Sequence, residues 1–196
     1  MPITTGILIF DGVEELDFAG PWEVLTVARK EGDRVLTVAE RAEPITCAKG
    51  LRVIPDATFA DAPPLDVLLV PGGQGARERV DDPVHLDWIK SAAADATWVT
   101  SVCTGALLLH ATGLTEGRTI TTHWAYVDEL REKGDVTVVD DRYVQDGNVV
   151  TAAGVSAGID MALWLVGQLY DVEHARAVQR VIQYDPAPPY ASAPSA

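Results

Sequence analysis

A cysteine, a threonine and a glycine stand where a strand pattern gives way to a helical one. The apolar run "WVTSV" (98–102) leads into Cys103, Thr104 and Gly105, and "ALLLHA" follows. A tight turn at such a junction exposes a side chain above a sheet, and a helix N-terminus stabilises negative charge. We therefore predict that Cys103 is a nucleophile with a lowered pKa. The alternative is that Cys103 is a small apolar core residue.

The second cysteine has a different setting. Cys47 lies in the polar stretch "EPITCAKG", without a strand-to-helix turn. Neither cysteine belongs to a CxxC pair or a Cys/His cluster with zinc spacing, so we expect no metal site and no disulfide framework.

A glycine-rich loop follows another apolar run, "DVLLV" (66–70). Gly72 and Gly73 in "PGGQG" allow backbone N–H groups to approach a reacting centre. With the N–H of Thr104, we predict that they form an oxyanion hole. The alternative is an ordinary turn, and the loop lacks the GKS/T ending of a phosphate-binding loop.

Acidic residues cluster in "DGVEELDFAGPWEVL", after the first apolar run. Asp17 is predicted to face the thiol and to transfer protons between water and substrate. The alternative is that Asp17 caps the helix that starts near Pro21. Glu14 and Glu15 compete with Asp17 for the position beside the cysteine.

His123 in "TTHWAY" is the histidine closest to a strand end, where it would serve a cysteine as a base or hydrogen-bond within a turn. The other histidines, at positions 85, 110 and 174, lie in helical patterns and are expected to be packing or surface residues. Gly154 in "AGVSAGID" is expected to let the backbone approach a ligand, with Ser156 capping the next helix.

These residues need a scaffold, and the pattern around them predicts one. Short β-rich runs alternate with helical segments, which indicates an α/β three-layer sandwich with a mostly parallel sheet. Asp-Gly within residues 145–148 predicts a hairpin and one antiparallel edge. Ligands bind at the carboxyl ends of such strands, where the three loops lie. We expect one catalytic domain over residues 1–184 and a Pro/Ala-rich tail over 185–196.

The overall composition restricts the partners. The chain has 196 residues and a formal net charge of −14, which argues against binding nucleic acid. No stretch has the apolar length of a membrane span, and the N-terminus lacks a basic leader. We expect a cytoplasmic protein that acts on a small molecule or binds a second copy of itself, without a membrane partner.

Together, "DVLLVPGGQG", "SVCTGALLLHATGLTEGRTITTHW" and "TAAGVSAGIDMAL", with the acidic segment, resemble the ThiJ/PfpI superfamily, which has the class I glutamine amidotransferase-like fold. The resemblance implies that Cys103 is the nucleophile and that Asp17 replaces the glutamate of many relatives. Thr104 stands where the protease-like branch has histidine, and in the implied reaction its hydroxyl holds the water or the acid in place. The resemblance also implies a homodimer and a reaction without metal or organic cofactor.

Within that superfamily, Asp17 with Cys-Thr-Gly at 103–105 is similar to the isonitrile (isocyanide) hydratases. The implied reaction adds water to an isonitrile through a cysteine thioimidate. A rival interpretation is the ligand-sensing domain of AraC-type regulators, which resemble the same segments. Another is a carbonyl-scavenging or redox-sensing relative whose cysteine oxidises readily.

Overall fold

The computed structural model describes residues 1–190 and shows a central sheet covered by helices. Its strands are β1 (Thr4–Leu8), β2 (Arg34–Ala39), β3 (Ile45–Thr46), β4 (Arg52–Val53), β5 (Ala57–Thr58), β6 (Val67–Val70), β7 (Trp98–Val102), β8 (Thr119–Ile120), β9 (Thr137–Val138), β10 (Tyr143–Asp146) and β11 (Val149–Ala152). Its helices are α1 (Glu15–Ala28), α2 (Gln74–Glu78), α3 (Pro83–Ala93), α4 (Gly105–Ala111), α5 (Val127–Glu132), α6 (Ala157–Leu169) and α7 (Val172–Val181), with a 3₁₀ turn at Trp124–Tyr126.

Within the described residues, the central sheet has the strand order β10-β11-β7-β6-β1-β2-β5. All neighbouring pairs are parallel except β10 and β11. The inner strands β6 and β11 are buried along their whole length, as expected for parallel strands with helices on both faces. The predicted α/β fold with a mostly parallel sheet is confirmed.

The antiparallel edge lies where the Asp-Gly signal predicted it. Tyr143 pairs with Ala152 and Asp146 with Val149, and the intervening Gly147 has a φ of 62°. The predicted hairpin is therefore confirmed.

The helices form two layers. Helices α1, α6 and α7 pack together, whereas α2 and α3 pack against α4. The approach of α6 to the sheet is close: a Cβ at Gly158 would lie 3.0 Å from Cγ2 of Val102 and 3.1 Å from Cγ of Pro21. The N-terminal end of α6 is therefore held beside the carboxyl end of β7.

The loops after β1, β6 and β7 meet at one edge of the sheet. The Glu14 N–H donates to the Gly72 carbonyl at 3.0 Å, and Val13 forms an isolated antiparallel bridge with Gly73. The Gly73 N–H donates to Oγ1 of Thr104 at 3.0 Å. The topology thus brings the three predicted loops together, in agreement with the rule for open α/β sheets.

The division into a domain and a tail stays a prediction. Residues 185–190 of the predicted tail contain no helix or strand, and residues 191–196 lie outside the described part of the chain.

Candidate active site

Cys103 lies at a sharp turn between β7 and α4. Its φ is 57°, a left-handed value uncommon for residues other than glycine and concentrated at functional sites. Its N–H donates to the carbonyls of Ala152 (3.0 Å) and Ala153 (2.7 Å). Its carbonyl accepts from the Thr122 hydroxyl at 2.9 Å. Hydrogen bonds on both sides therefore hold the strained backbone and fix the direction of the thiol.

Gly105 permits the turn because no side chain fits at that position. A Cβ there would lie only 2.0 Å from the carbonyl oxygen of Val70. The first residue of α4 is thus in direct contact with the end of β6, which makes the turn short enough to present Cys103 at the sheet edge.

Asp17 lies in the first turn of α1 rather than at its cap. The helix begins at Glu15, with Glu14 as N-cap, and Pro21 lies inside the helix. The predicted helix start near Pro21, and with it the capping role of Asp17, is wrong. The side chain instead points inward: it is fully buried, and Oδ2 accepts from the Gly72 N–H at 2.9 Å. Within residues 1–190 its Oδ1 is buried without a hydrogen-bond partner.

The two competing glutamates have other contacts. The Glu14 carboxylate forms an ion pair with the Lys49 ammonium group. Oε1 of Glu15 accepts from the Lys49 backbone N–H at 2.7 Å. Of the three acids, Asp17 is therefore the one that the structure places against the thiol.

The ionisation of Asp17 and Cys103 is linked. Burial raises the pKa of Asp17 from 3.8 to about 7, although the Gly72 N–H opposes this shift. Burial, then the Asp17 carboxylate, raises the pKa of Cys103 from 9.0 to about 12. Two acids in contact in a buried site do not readily ionise together. The expected lowering of the thiol pKa is wrong, because desolvation and the neighbouring carboxylate outweigh the short helix.

The pair consequently retains a proton at neutral pH. When the carboxylate is charged, the thiol holds that proton. The thiol can attack an electrophile only as the proton leaves, and Asp17 is positioned to accept it.

The hydroxyl of Thr104 connects the cysteine turn to the glycine loop. Its Oγ1 accepts from the Gly73 N–H and donates to the Gly73 carbonyl at 3.2 Å. The N–H groups of Gly72 and Gly73 thus have acceptors inside the protein, in Asp17 and Thr104 respectively. This arrangement differs from the predicted oxyanion hole: these two amides orient the acid and the turn, and donation to a substrate would break those bonds.

Gly72 also has to be a glycine. A Cβ at that position would lie 2.5 Å from the Thr104 nitrogen and 3.0 Å from Oδ2 of Asp17. The close approach of this backbone is what brings the acid and the cysteine turn together.

Val155 is a site residue that the sequence reasoning missed. The N–H groups of Val155 and Thr104 face the sulfur and stabilise its thiolate form, which lowers the pKa of Cys103 against the larger effect of burial. Val155 has a φ of 44°, a genuine outlier for a β-branched side chain. The only hint was its place between Gly154 and the start of a helix, because a valine by itself does not indicate positive φ.

His123 and Gly154 pack against each other next to Val155. A Cβ at Gly154 would lie 2.7 Å from Cδ2 of His123. Nδ1 of His123 accepts from the Ala125 N–H at 3.2 Å, at the start of the 3₁₀ turn. These contacts are the ones expected if His123 hydrogen-bonds within a turn instead of serving Cys103 as a base. The side chain whose charge raises the pKa of the Cys103 thiol is Asp17 and not His123.

Cys47 differs from Cys103 in its surroundings. It lies before the β3–β4 turn, with its N–H donating to the Leu51 carbonyl at 2.8 Å. Burial raises its pKa to about 11, and Glu15 and Asp11 add to the effect. Among residues 1–190, no carboxyl group is hydrogen-bonded to its thiol as Asp17 is to that of Cys103, which makes Cys47 a suitable control cysteine.

Residues 1–190 lack two further features. They contain no group of three or more His, Cys, Asp or Glu side chains arranged to hold a metal ion. None of the described helices has the length and apolar character needed to cross a bilayer.

The mostly parallel α/β sandwich, the strained turn at Cys103 and the buried Asp17 define the protein as an α/β protein with a cysteine in its candidate active site. Comparison with protein families identifies the family within this class. Residues 5–168 match the model of the DJ-1/PfpI family. The chain belongs to that family, as its resemblance to the ThiJ/PfpI superfamily implied.

Individual relatives narrow the comparison. The chain is 46% identical over 192 residues to the isonitrile hydratase of Pseudomonas putida, covering 98% of this chain and 83% of that protein. A crystal structure of a ThiJ/PfpI family protein from Pseudomonas syringae matches with a TM-score of 0.91 and 35% identity, over 97% of this chain and 78% of that one. The transcriptional regulator GbdR of Pseudomonas aeruginosa is 27% identical over 94% of this chain, which corresponds to 51% of the regulator.

Proposed function

We propose that this protein hydrates isonitriles to N-substituted formamides, with Cys103 as the nucleophile and Asp17 as the group that moves protons. The observation that carries the proposal is the buried pair itself, a thiol facing a carboxyl group whose pKa is about 7. The 46% identity to an isonitrile hydratase supports the choice of substrate.

The first step forms a covalent thioimidate. Sγ of Cys103 adds to the terminal carbon of the isonitrile, and the thiol proton passes through the Asp17 carboxylate to that same carbon. A carbon–sulfur and a carbon–hydrogen bond form, giving Cys–S–CH=N–R, and Asp17 returns to its charged form. Proton delivery is essential because the adduct would otherwise hold a negative charge on carbon.

The second step consumes water. Asp17 takes a proton from water as the water oxygen adds to the thioimidate carbon, and it passes this proton to the nitrogen to give Cys–S–CH(OH)–NH–R. The carbon–sulfur bond then breaks, the hydroxyl proton returns through Asp17 to the sulfur, and R–NH–CHO leaves. Each atom of one water molecule ends in the product, so we propose no cofactor.

The narrow access to the sulfur suits this substrate. Only 6% of Cys103 is exposed. An isonitrile presents its reactive carbon at the end of a linear group, which can reach a recessed sulfur without bringing its substituent into the turn. A branched carbonyl carbon has substituents on both sides and needs a wider approach.

We also propose that the protein is a homodimer, as the family resemblance implies, and that it acts in the cytoplasm. Light scattering of the purified protein tests the first part: a mass near 42 kDa supports it, because one chain has a mass of 21.0 kDa, and a mass near one chain contradicts it.

The deciding experiment follows formamide formation from cyclohexyl isocyanide. We expect turnover by the wild type, none by Cys103→Ala and nearly none by Asp17→Asn. Cys47→Ala is the matched control, because it removes the other buried thiol and leaves the pair intact. Loss of turnover only in Cys47→Ala would overturn the assignment of the nucleophile.

The alternatives give different results in the same assay. If no variant forms formamide, binding measurements and an assay with an α-oxoaldehyde distinguish the ligand-sensing from the carbonyl-directed interpretation. The similarity to GbdR keeps the sensing interpretation open, although this chain spans only the corresponding 51% of that regulator.

A further inference from the structure

Arg79 connects two active-site loops through their backbones. This residue follows α2, and its Nη1 donates to the carbonyl of Asp11 at 3.1 Å and to that of Gly75 at 2.9 Å. Asp11 belongs to the loop between β1 and α1, and Gly75 is the second residue of α2, directly after the Pro-Gly-Gly turn. One guanidinium group therefore connects the loop that leads to Asp17 with the helix that continues the glycine loop that binds Asp17.

The guanidinium is itself held by a buried histidine. Nε of Arg79 donates to Nε2 of His85 at 3.3 Å, and Nδ1 of His85 lies 2.6 Å from Oδ2 of Asp82. Since Nε2 accepts, the ring proton is on Nδ1 and is donated to the carboxylate. His85 is only 2% exposed, with its edge against the rings of Phe10 and Phe59. The prediction that it is a packing residue accounts for the rings and misses these hydrogen bonds.

The ring is neutral in this arrangement. Burial lowers the pKa of His85 against the raising effect of its bond to Asp82, and the charge of Arg79 lowers it further. In the order carboxylate, neutral imidazole, guanidinium, the Nδ1–H of His85 and the Nε–H of Arg79 each have an acceptor, and Oδ1 of Asp82 also accepts from the Val84 N–H at 3.0 Å. Arg79 is therefore fixed in orientation as well as in position.

The two loops that it bridges touch each other closely. The Gly75 N–H donates to the Gly12 carbonyl at 2.9 Å, and a Cβ at Gly75 would lie 2.1 Å from the Asp11 carbonyl oxygen. The two backbones are so close that one cannot shift without displacing the other. A small displacement of either loop therefore moves the Gly72 N–H relative to the Asp17 carboxyl group that it binds.

We propose that Asp82, His85 and Arg79 form a clamp that positions Asp17 for proton transfer with Cys103. Arg79 is a positioning residue: it contacts neither the sulfur nor the carboxyl group and acts through the loops on either side. The clamp adds a positioning role to the proposed function, and the turnover test of the clamp rests on that function. Its chemical effect passes through the Gly72 N–H, which stabilises the carboxylate of Asp17.

The test replaces Arg79 with methionine, which keeps the aliphatic length and removes the three donated hydrogen bonds. We expect kcat for cyclohexyl isocyanide to fall about 10- to 100-fold, since misplacement by about 1 Å has effects of that size, with little change in KM. We also expect the acid limb of the pH profile to move above about 7, because a weakened Gly72 bond leaves the carboxylate less stabilised.

Two further variants grade the effect. Arg79→Lys keeps the charge but has one nitrogen for three acceptors, so it should lie between wild type and Arg79→Met. Asp82→Asn, which weakens the remote end of the clamp, should move the pH profile in the same direction by less. Arg29→Met is the matched control. Arg29 is exposed at the far end of α1, so its replacement should leave both kcat and the pH profile unchanged.

A second measurement tests the clamp independently of the proposed function. The rate of Cys103 alkylation by iodoacetamide, measured against pH, reports the thiol–carboxyl pair without any isonitrile. If the wild type fails to hydrate isonitriles but Arg79→Met still moves the alkylation profile, the clamp stands and the proposed function falls. If Arg79→Met or, should it not fold, Asp82→Asn lowers only the unfolding midpoint and leaves the pH profile in place, the clamp is overturned.

Discussion

Asp17→Asn is expected to stabilise the protein while removing its activity, and the gain should depend on pH. The carboxylate is buried and its pKa of about 7 lies about 3 above the ordinary 3.8. At about 1.4 kcal/mol for each pKa unit, holding this charge in the native protein costs about 4 kcal/mol above pH 7. The asparagine keeps an oxygen for the Gly72 N–H and carries no charge.

The sign follows from proton binding. Between about pH 4 and about pH 7 the native protein keeps the proton on Asp17 while the unfolded chain has lost it, so stability falls as the pH rises through this window. The asparagine variant lacks this loss. From about pH 4.5 to about pH 8, its advantage in unfolding free energy over the wild type should grow by about 3 kcal/mol.

Urea unfolding of both proteins at the two pH values measures the difference directly. Any fixed cost of burying the amide is the same at each pH and cancels. Asp128→Asn is the matched control, because that carboxylate is 89% exposed on α5 and its replacement should have little effect at either pH. An advantage of Asp17→Asn that is the same at both pH values would refute the argument that the native protein holds a costly charge there.

Three further outcomes follow from the same geometry. Alkylation of wild-type Cys103 should accelerate as the pH rises through about 7, because loss of a proton from the pair creates the reactive state; an iodoacetamide rate that is flat over this range would contradict the linkage. Val155→Gly should raise the unfolding free energy by about 1 kcal/mol by relieving the left-handed backbone, measured by urea unfolding. Gly105→Ala should sharply lower the yield of folded protein, because the added Cβ would collide with the Val70 carbonyl oxygen. The control is Gly167→Ala, whose added Cβ would lie 3.9 Å from its nearest neighbour, so this variant should melt at the same or a higher temperature.

The sequence was informative where chemistry depends on order along the chain. The apolar run before Cys103, the Thr-Gly after it and the rule for carboxyl ends of parallel strands were enough to predict three loops at one edge. The Asp-Gly signal was enough for the hairpin, because a turn depends on residues within it. The type of fold was predictable for the same reason, since alternation of strands and helices is a local pattern.

Properties that arise from packing were not predictable. The pKa of Cys103 depends on desolvation and on a carboxyl group from a distant helix, and neither is visible in "SVCTG". The Gly72 and Gly73 amides are engaged by side chains from other elements, so their availability could not be judged from "PGG". The start of α1 before Pro21 and the backbone of Val155 were missed because tertiary contacts outweigh local preference at both positions.

The hydrogen bonds that hold the backbone of Cys103 also determine when the protein acquires its thiol geometry. Its partners Thr122, Ala152 and Ala153 all follow it in the chain, two of them at the end of β11. A ribosome delivers the cysteine first, and its N–H lacks both of its carbonyl acceptors until β11 pairs with β7. The nascent chain thus emerges with an ordinary cysteine. The hydrogen bonds that fix the direction of the thiol are therefore complete only once β11 has joined the sheet.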